Sequence, residues 1–269
     1  HFFCISIPKS MHMGKNEIAT PCITEYTLAL EIINNRRNRR VTEEGYPFGI
    51  MNWHEIVNDT VGGKTITVTY CPLCDTIVVF ERHQTTFGVS GKLYQSCLVM
   101  YDRADDTLYS QPWAMGIIGA KVDQHLDRLP AVKTTLAEWL REHPESEILS
   151  TNTGHIRDYQ NYPYGSYYTD DRIIFPVRNQ DRQSLPPKTI VSYIWESDNQ
   201  TPRDRFSGES LHIAHQELEQ IGEKTVTFNG REIRLVWDER MKTARFEEMN
   251  GRVIPSTTAF AFVYPAYFE

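Results

Sequence analysis

The chain has 269 residues, 40% of them hydrophobic and 12% aromatic, enough for a globular body that buries roughly three-quarters of its unfolded surface without disulfide staples. A net charge of −7 and a pI near 5.8 leave no basic face for a phosphate backbone, which argues against a nucleic-acid partner. The short cluster Arg36-Arg37-Asn38-Arg39-Arg40 is followed by Glu43 and Glu44 and reads as a solvated turn. No run approaches the ~20 apolar residues of a transmembrane helix. The opening His1-Phe2-Phe3-Cys4-Ile5-Ser6-Ile7-Pro8 is too short and uncharged for a signal peptide, and the start without Met suits a processed or truncated beginning.

In chain order, residues 1–44 read as an N-terminal arm ahead of one β-rich domain over residues 45–269. Within the arm, Leu28, Leu30, Ile32 and Ile33 give residues 25–35 a helical or mixed pattern. Phe48 to Val57 reads as a short amphipathic helix carrying Trp53 and His54. Strand signals then follow at 65–70, 76–82, 86–90, 93–102 and 107–110, broken by Gly62-Gly63, Gly88 and Gly91, and predict an antiparallel meander. A helix is predicted from Thr134 to His143: Thr134 or Thr135 caps it, Leu136, Trp139 and Leu140 form its apolar stripe, and Pro144 closes it.

Residues 150–170 crowd Tyr159, Tyr162, Tyr164, Tyr167 and Tyr168 among Asn, Gly and Asp, which predicts an ordered loop across the sheet and a wall of any site there. Toward the C-terminus, Thr225–Phe228 and Glu232–Trp237 flank Asn229-Gly230, and 244–247 and 253–255 flank Asn250-Gly251, each pair predicting a hairpin. The expected fold class is α+β, predominantly antiparallel β with a few short helices.

The chemistry centres on Cys71-Pro72-Leu73-Cys74, two thiols three residues apart on a tight turn between strands. A metal ion, a reversible disulfide and a structural bridge all fit that spacing. A closed four-cysteine zinc site lacks its second C-x-x-C, so His54 is the best third ligand, with Glu55 placed to orient its ring. Asn58 stands where a zincin would need its second histidine.

Asp102 and Arg103 end an apolar strand and either pair or line a pocket, while Met100 either donates a thioether to Cu(I) or packs in the core. Cys97 reads as a resolving thiol, an additional ligand or an inert core residue. Cys4 and Cys22 are suited to an N-terminal disulfide, which would favour an oxidising compartment. Asn58-Asp59-Thr60 and Asn199-Gln200-Thr201 fit the glycosylation triplet. No P-loop, dinucleotide fingerprint or nucleophile elbow is present.

Trp53-His54-Glu55-Ile56-Val57-Asn58-Asp59, Thr69-Tyr70-Cys71-Pro72-Leu73-Cys74, Phe87-Gly88-Val89-Ser90-Gly91-Lys92-Leu93 and Met100-Tyr101-Asp102-Arg103 resemble, in order and spacing, the bacterial and archaeal proteins grouped as domain of unknown function 3179. The likeness continues through Ser110-Gln111, His143-Pro144 and Tyr162-Pro163-Tyr164 to Phe175-Pro176-Val177. It brings no established reaction. It implies an exported or lipid-anchored setting, and it marks His54, Cys71, Cys74, Asp102, Arg103 and Gln111 as polar positions of the family pattern. Cys97 departs from that pattern, as does Tyr109, where tryptophan is usual.

Together these readings predict an extracytoplasmic protein that holds copper or zinc through Cys71, Cys74 and His54, with Asp102, Arg103, Gln111 and Met100 as further pocket residues. A thiol–disulfide oxidoreductase cycling Cys71 with Cys74 is the enzymatic alternative, and a structural subunit of an extracellular assembly is the third reading. Expected partners are a membrane surface, a protein assembly or a small-molecule ligand. His54 is expected to reach the cysteines from the preceding helix, folded back at Gly62-Gly63.

Overall fold

The computed structural model describes residues 5–6, 12–13, 26–34, 40–197 and 208–269. Cys4, Cys22, most of the arginine cluster and the Asn199 triplet lie outside them. The described strands form five small sheets, the blades of a five-bladed β-propeller, with 46% strand and 13% helix. The α+β expectation is therefore refined to a nearly all-β fold. Among the described residues the four α-helices, Phe48–His54, Leu136–Glu142, His215–Ile221 and Val263–Phe268, are short and pack against the sheets.

Sheet 1 is built on Ile56–Val61, Lys64–Cys71 and Thr76–Glu81, with Arg128–Leu129 on one edge and Ile5–Ser6 added in parallel on the other. Gly62 and Gly63, both at positive φ, turn its first hairpin. Sheet 2 comprises Phe87–Tyr94, Cys97–Asp102, Leu108–Ser110 and Met115–Ile118. The predicted meander is thus split between two blades.

Strand 93–102 is also divided, because the chain reverses at Gln95 and Ser96 (φ 50° and 62°). A left-handed turn made from Gln and Ser carries none of the Asn-Gly chemistry that marks such turns in a sequence. Its consequence is that Cys97 opens a strand beside the hairpin tip, opposite Tyr94.

Sheet 3 joins Tyr26–Asn34 and Arg40–Pro47 to Val132–Thr135, Glu147–Leu149 and His12–Met13. The segment read as helical or mixed is a strand, buried at Leu28, Ala29 and Leu30 against both Val132–Thr135 and Arg40–Pro47. Burial on both faces leaves an apolar run without clean alternation, which is why periodicity misread it. Sheet 4 holds Gly208–Ala214, Ile190–Ser197 and Thr257–Phe260, and sheet 5 holds Glu223–Phe228, Arg231–Asp238, Thr243–Glu248 and Val253–Ile254.

Sheet 1 touches sheets 2, 3 and 4, and sheet 5 touches sheets 3 and 4. Where the blades meet, the largest apolar cluster gathers Cys71, Cys74, Cys97 and Met100 with Trp113, Tyr193, Phe260 and Tyr267. The helix Leu136–Glu142 starts as predicted, with Thr135 and Glu138 forming a reciprocal capping box and Leu136 and Trp139 buried.

Candidate functional site

Cys71 closes the strand Lys64–Cys71 and pairs with Thr76, leaving Pro72 to Asp75 as the connecting turn. Threonines 67 and 69, on the face that alternation assigns to solvent, are buried and satisfied: Thr67 Oγ1 donates to Asn58 Oδ1 at 3.0 Å and Thr69 Oγ1 to Val78 O at 2.7 Å. Asn58 in turn donates to the Phe87 carbonyl at 2.9 Å and is 1% exposed, so its glycosylation triplet is buried within the fold.

Three carbonyls of the turn are claimed. Pro72 O accepts from Tyr162 Oη at 3.3 Å, Leu73 O from Tyr167 Oη at 2.8 Å, and Cys74 O from the Phe260 amide at 2.9 Å. Asp75, at φ 52°, accepts from Tyr70 Oη at 3.0 Å and pairs with Lys133 in a buried ion pair that also reaches Tyr168 Oη at 2.9 Å. The tyrosine-rich loop therefore covers the cysteine turn, as its composition predicts.

Three thiols gather in one buried cluster beneath that cover. Cys74 interacts electrostatically with both Cys71 and Cys97, and Thr76 Oγ1 donates to Cys74 Sγ at 2.9 Å. All three are free thiols, 2% exposed at Cys71 and 0% at Cys74 and Cys97. Burial pushes each thiol above its ordinary range, most strongly for Cys71 and Cys74. At neutral pH an acceptor must take a proton before any of them becomes a nucleophile.

Glu55 is the buried carboxyl beside the turn. It ends the helix Phe48–His54 at φ 58° and ψ −35°, a conformation that strains an L-residue by about 1–3 kcal/mol. Its amide donates to Met51 O at 2.8 Å and its carbonyl accepts from the Tyr70 amide at 2.8 Å, which fixes the kink and turns the carboxyl inward. There it is 7% exposed, accepts from Tyr164 Oη at 3.1 Å and lies near enough to Cys71 for its charge to disfavour the thiolate. Burial raises its pKa to about 7, against the smaller downward pull of Tyr164.

His54 is fully buried, but its Nε2 lies 2.7 Å from Tyr159 Oη, with the His155 ring 5.5 Å away. Among the described residues no group of three or more His, Cys, Asp or Glu side chains is arranged to hold a metal ion. Cys71, Cys74 and His54 therefore do not converge as a cage in this structure.

Asp102 does not pair with Arg103. It is buried against Lys121 and Thr85 in sheet 2, while Arg103 donates to Phe87 O at 3.0 Å. Met100 is a core residue in the thiol cluster. Gln111 lies next to the thiols: its Nε2 donates to Thr69 Oγ1 at 3.1 Å and Thr76 O at 2.8 Å, tying sheet 2 to the cysteine sheet.

Glu55 and Tyr164 are candidate groups that sequence reasoning missed or undervalued, along with the clustering of Cys97 with Cys71 and Cys74. A glutamate in the left-handed region leaves no mark in a sequence. The tyrosine crowding did.

The family model described as "Protein of unknown function (DUF3179)" matches residues 41–264. The chain belongs to this family. No curated protein and no solved structure matches it. The DUF3179 match spans the thiol row, Glu55 and the tyrosine loop, so the whole candidate site lies within the family's domain.

Proposed function

We propose that this DUF3179 protein is a thiol–disulfide oxidoreductase in which Cys71 attacks a disulfide substrate, Cys74 resolves the intermediate and Glu55 takes the first proton. The observation that carries this reading is a pair of buried free thiols on one turn, Cys71 and Cys74, in the electrostatic reach of the buried Glu55 carboxyl, whose pKa burial raises to about 7.

Glu55 accepts the Cys71 proton, and the thiolate bonds to one sulfur of the substrate disulfide, releasing the other half as a thiolate that is protonated. Cys74, deprotonated in turn, bonds to Cys71 Sγ and expels the second half. One substrate disulfide becomes two thiols, two protein thiols become one disulfide, and two electrons and two protons pass to the substrate. Since Cys71 is buried, the tyrosine loop must lift from Pro72, Leu73 and Glu55 to admit the substrate. The extracytoplasmic home implied by the family resemblance suits such a cycle, because disulfide substrates persist in oxidising compartments.

The test is equilibration in glutathione buffers with thiol counting across pH. The expected outcome is a reversible Cys71–Cys74 disulfide whose formation rate rises through pH ~7, and whose inflection disappears in Glu55→Gln. A pair that stays oxidised, or stays reduced, at every physiological poise overturns the reading. Elemental analysis of the same preparation tests the copper or zinc alternative: one bound ion per chain, lost in Cys71→Ser, would place metal binding first.

A further inference from the structure

Resting on that reading, we propose that Cys97 is a third redox thiol and that Cys74 is a pivot, exchanging its disulfide partner between Cys71 and Cys97. Three placements support this. All three sulfurs belong to one buried cluster, in which Cys74 interacts with both Cys71 and Cys97. Thr76 Oγ1 sits 2.9 Å from Cys74 Sγ and within reach of Cys97, so one hydroxyl serves both members of the second pair. Cys97 stands at the tip of the sheet 2 hairpin, with its partner residue Tyr94 held by the Tyr267 hydroxyl on its carbonyl, so the third thiol enters the shared cluster from a fixed backbone.

The exchange is an isomerisation and needs no further oxidant. Starting from the Cys71–Cys74 disulfide, the Cys97 thiolate bonds to Cys74 Sγ, the Cys71–Cys74 bond breaks, and its electron pair leaves on Cys71. The proton released by Cys97 is matched by the one Cys71 takes up from the carboxyl form of Glu55, which solvent reprotonates. The oxidising equivalent moves from the local loop at Cys71 to a bond between two blades, and Cys71 returns to its thiol beside Glu55. The two oxidised forms differ in kind: the first bridges one turn, whereas the second closes the chain from residue 74 to residue 97 across sheets 1 and 2 and constrains the unfolded chain more.

Peptide mapping of the oxidised full chain tests the exchange. Trypsin places Cys71 and Cys74 on fragment 65–82, Cys97 on 93–103, Cys4 on 1–9 and Cys22 on 16–36, so each pairing has its own mass. After oxidation by glutathione disulfide, acid quench and alkylation, wild type is expected to yield both the internally bridged 65–82 fragment and 65–82 joined to 93–103. Cys71→Ser should yield the joined pair alone, and Cys97→Ser the internal bridge alone.

Alkylated Cys97 throughout the oxidised wild type and Cys71→Ser would overturn the relay. The internal bridge seen in that same sample would leave the oxidoreductase reading standing, and its absence from Cys97→Ser would sink that reading separately. If Cys71→Ser does not fold, fragmentation of the wild-type joined pair still reads out the linkage: a bond at Cys74 supports the pivot, and one at Cys71 overturns it.

Discussion

Sheet 5 and the cysteine turn of sheet 1 are built by the same backbone rules and use side chains in opposite ways. In sheet 5 the pattern is consistent at each level. Ile233 and Leu235 point to a core with Phe228 and Phe246, while Arg234 and Glu247, directly opposite across the ladder, pair on the other face at 2.7 Å. Asn229 and Gly230, both at positive φ, make the turn that the flanking strands prefer.

The cysteine turn instead buries a Lys133–Asp75 ion pair, a glutamate held in a strained conformation and three thiols under a long loop. A fold places such groups inside only where the surroundings fix them, and costs of this kind concentrate where geometry serves chemistry. The comparison separates a blade that is optimised for folding from one that spends stability on a site.

The sharpest way to break the comparison is Lys133→Ala, which leaves Asp75 charged and buried without its ammonium partner. Losing one partner of a buried pair costs about 3–5 kcal/mol, read from the urea midpoint, whereas the joint replacement Lys133→Met with Asp75→Asn should recover most of that loss. A Lys133→Ala chain as stable as wild type would show that the ion pair is not held in the interior.

Leu235→Ala probes the ordinary blade, where loss of a fully packed side chain should cost about 3 kcal/mol with no dependence on pH between 5 and 8. Glu55 should behave differently. Its folded-state pKa of about 7 lies above the ordinary value of 4.5, so the folded chain keeps a proton that the unfolded chain releases. Stability should therefore fall as pH rises from about 4.5 to about 7, by up to about 3 kcal/mol, and then level off. Glu55→Gln should flatten that slope in a urea series, and a slope unchanged by the substitution would place the titration elsewhere.

The smallest expected effect is at the hairpin turn. A methyl group added at Gly230 meets nothing within 4 Å, so Gly230→Ala should cost only the conformational penalty at φ 70°, about 1 kcal/mol. A loss of several kcal/mol would mean that the turn carries a contact beyond its backbone geometry.

The sequence by itself determined the local structure in places where side-chain chemistry and backbone preference coincide. A threonine cap at 134 or 135, the strands around both Asn-Gly turns and the strands on either side of the cysteine pair were all legible. So were the adjacency of Cys71 and Cys74 and the role of the tyrosine-rich segment as a covering loop, since spacing and composition are local properties.

Tertiary structure alone decided what met across the blades. Residues 26–34 became a strand because sheet 3 buries both of their faces, and the predicted strand 93–102 became a hairpin tip because Gln95 and Ser96 are held in left-handed turns. His54 lies against Tyr159, while Glu55, one residue further on, is kinked inward toward the cysteine turn. Sequence periodicity specifies which face of an element is apolar. It does not specify the rotation of one blade against the next, and that rotation brings Cys97 to Cys74 and a carboxyl to a thiol.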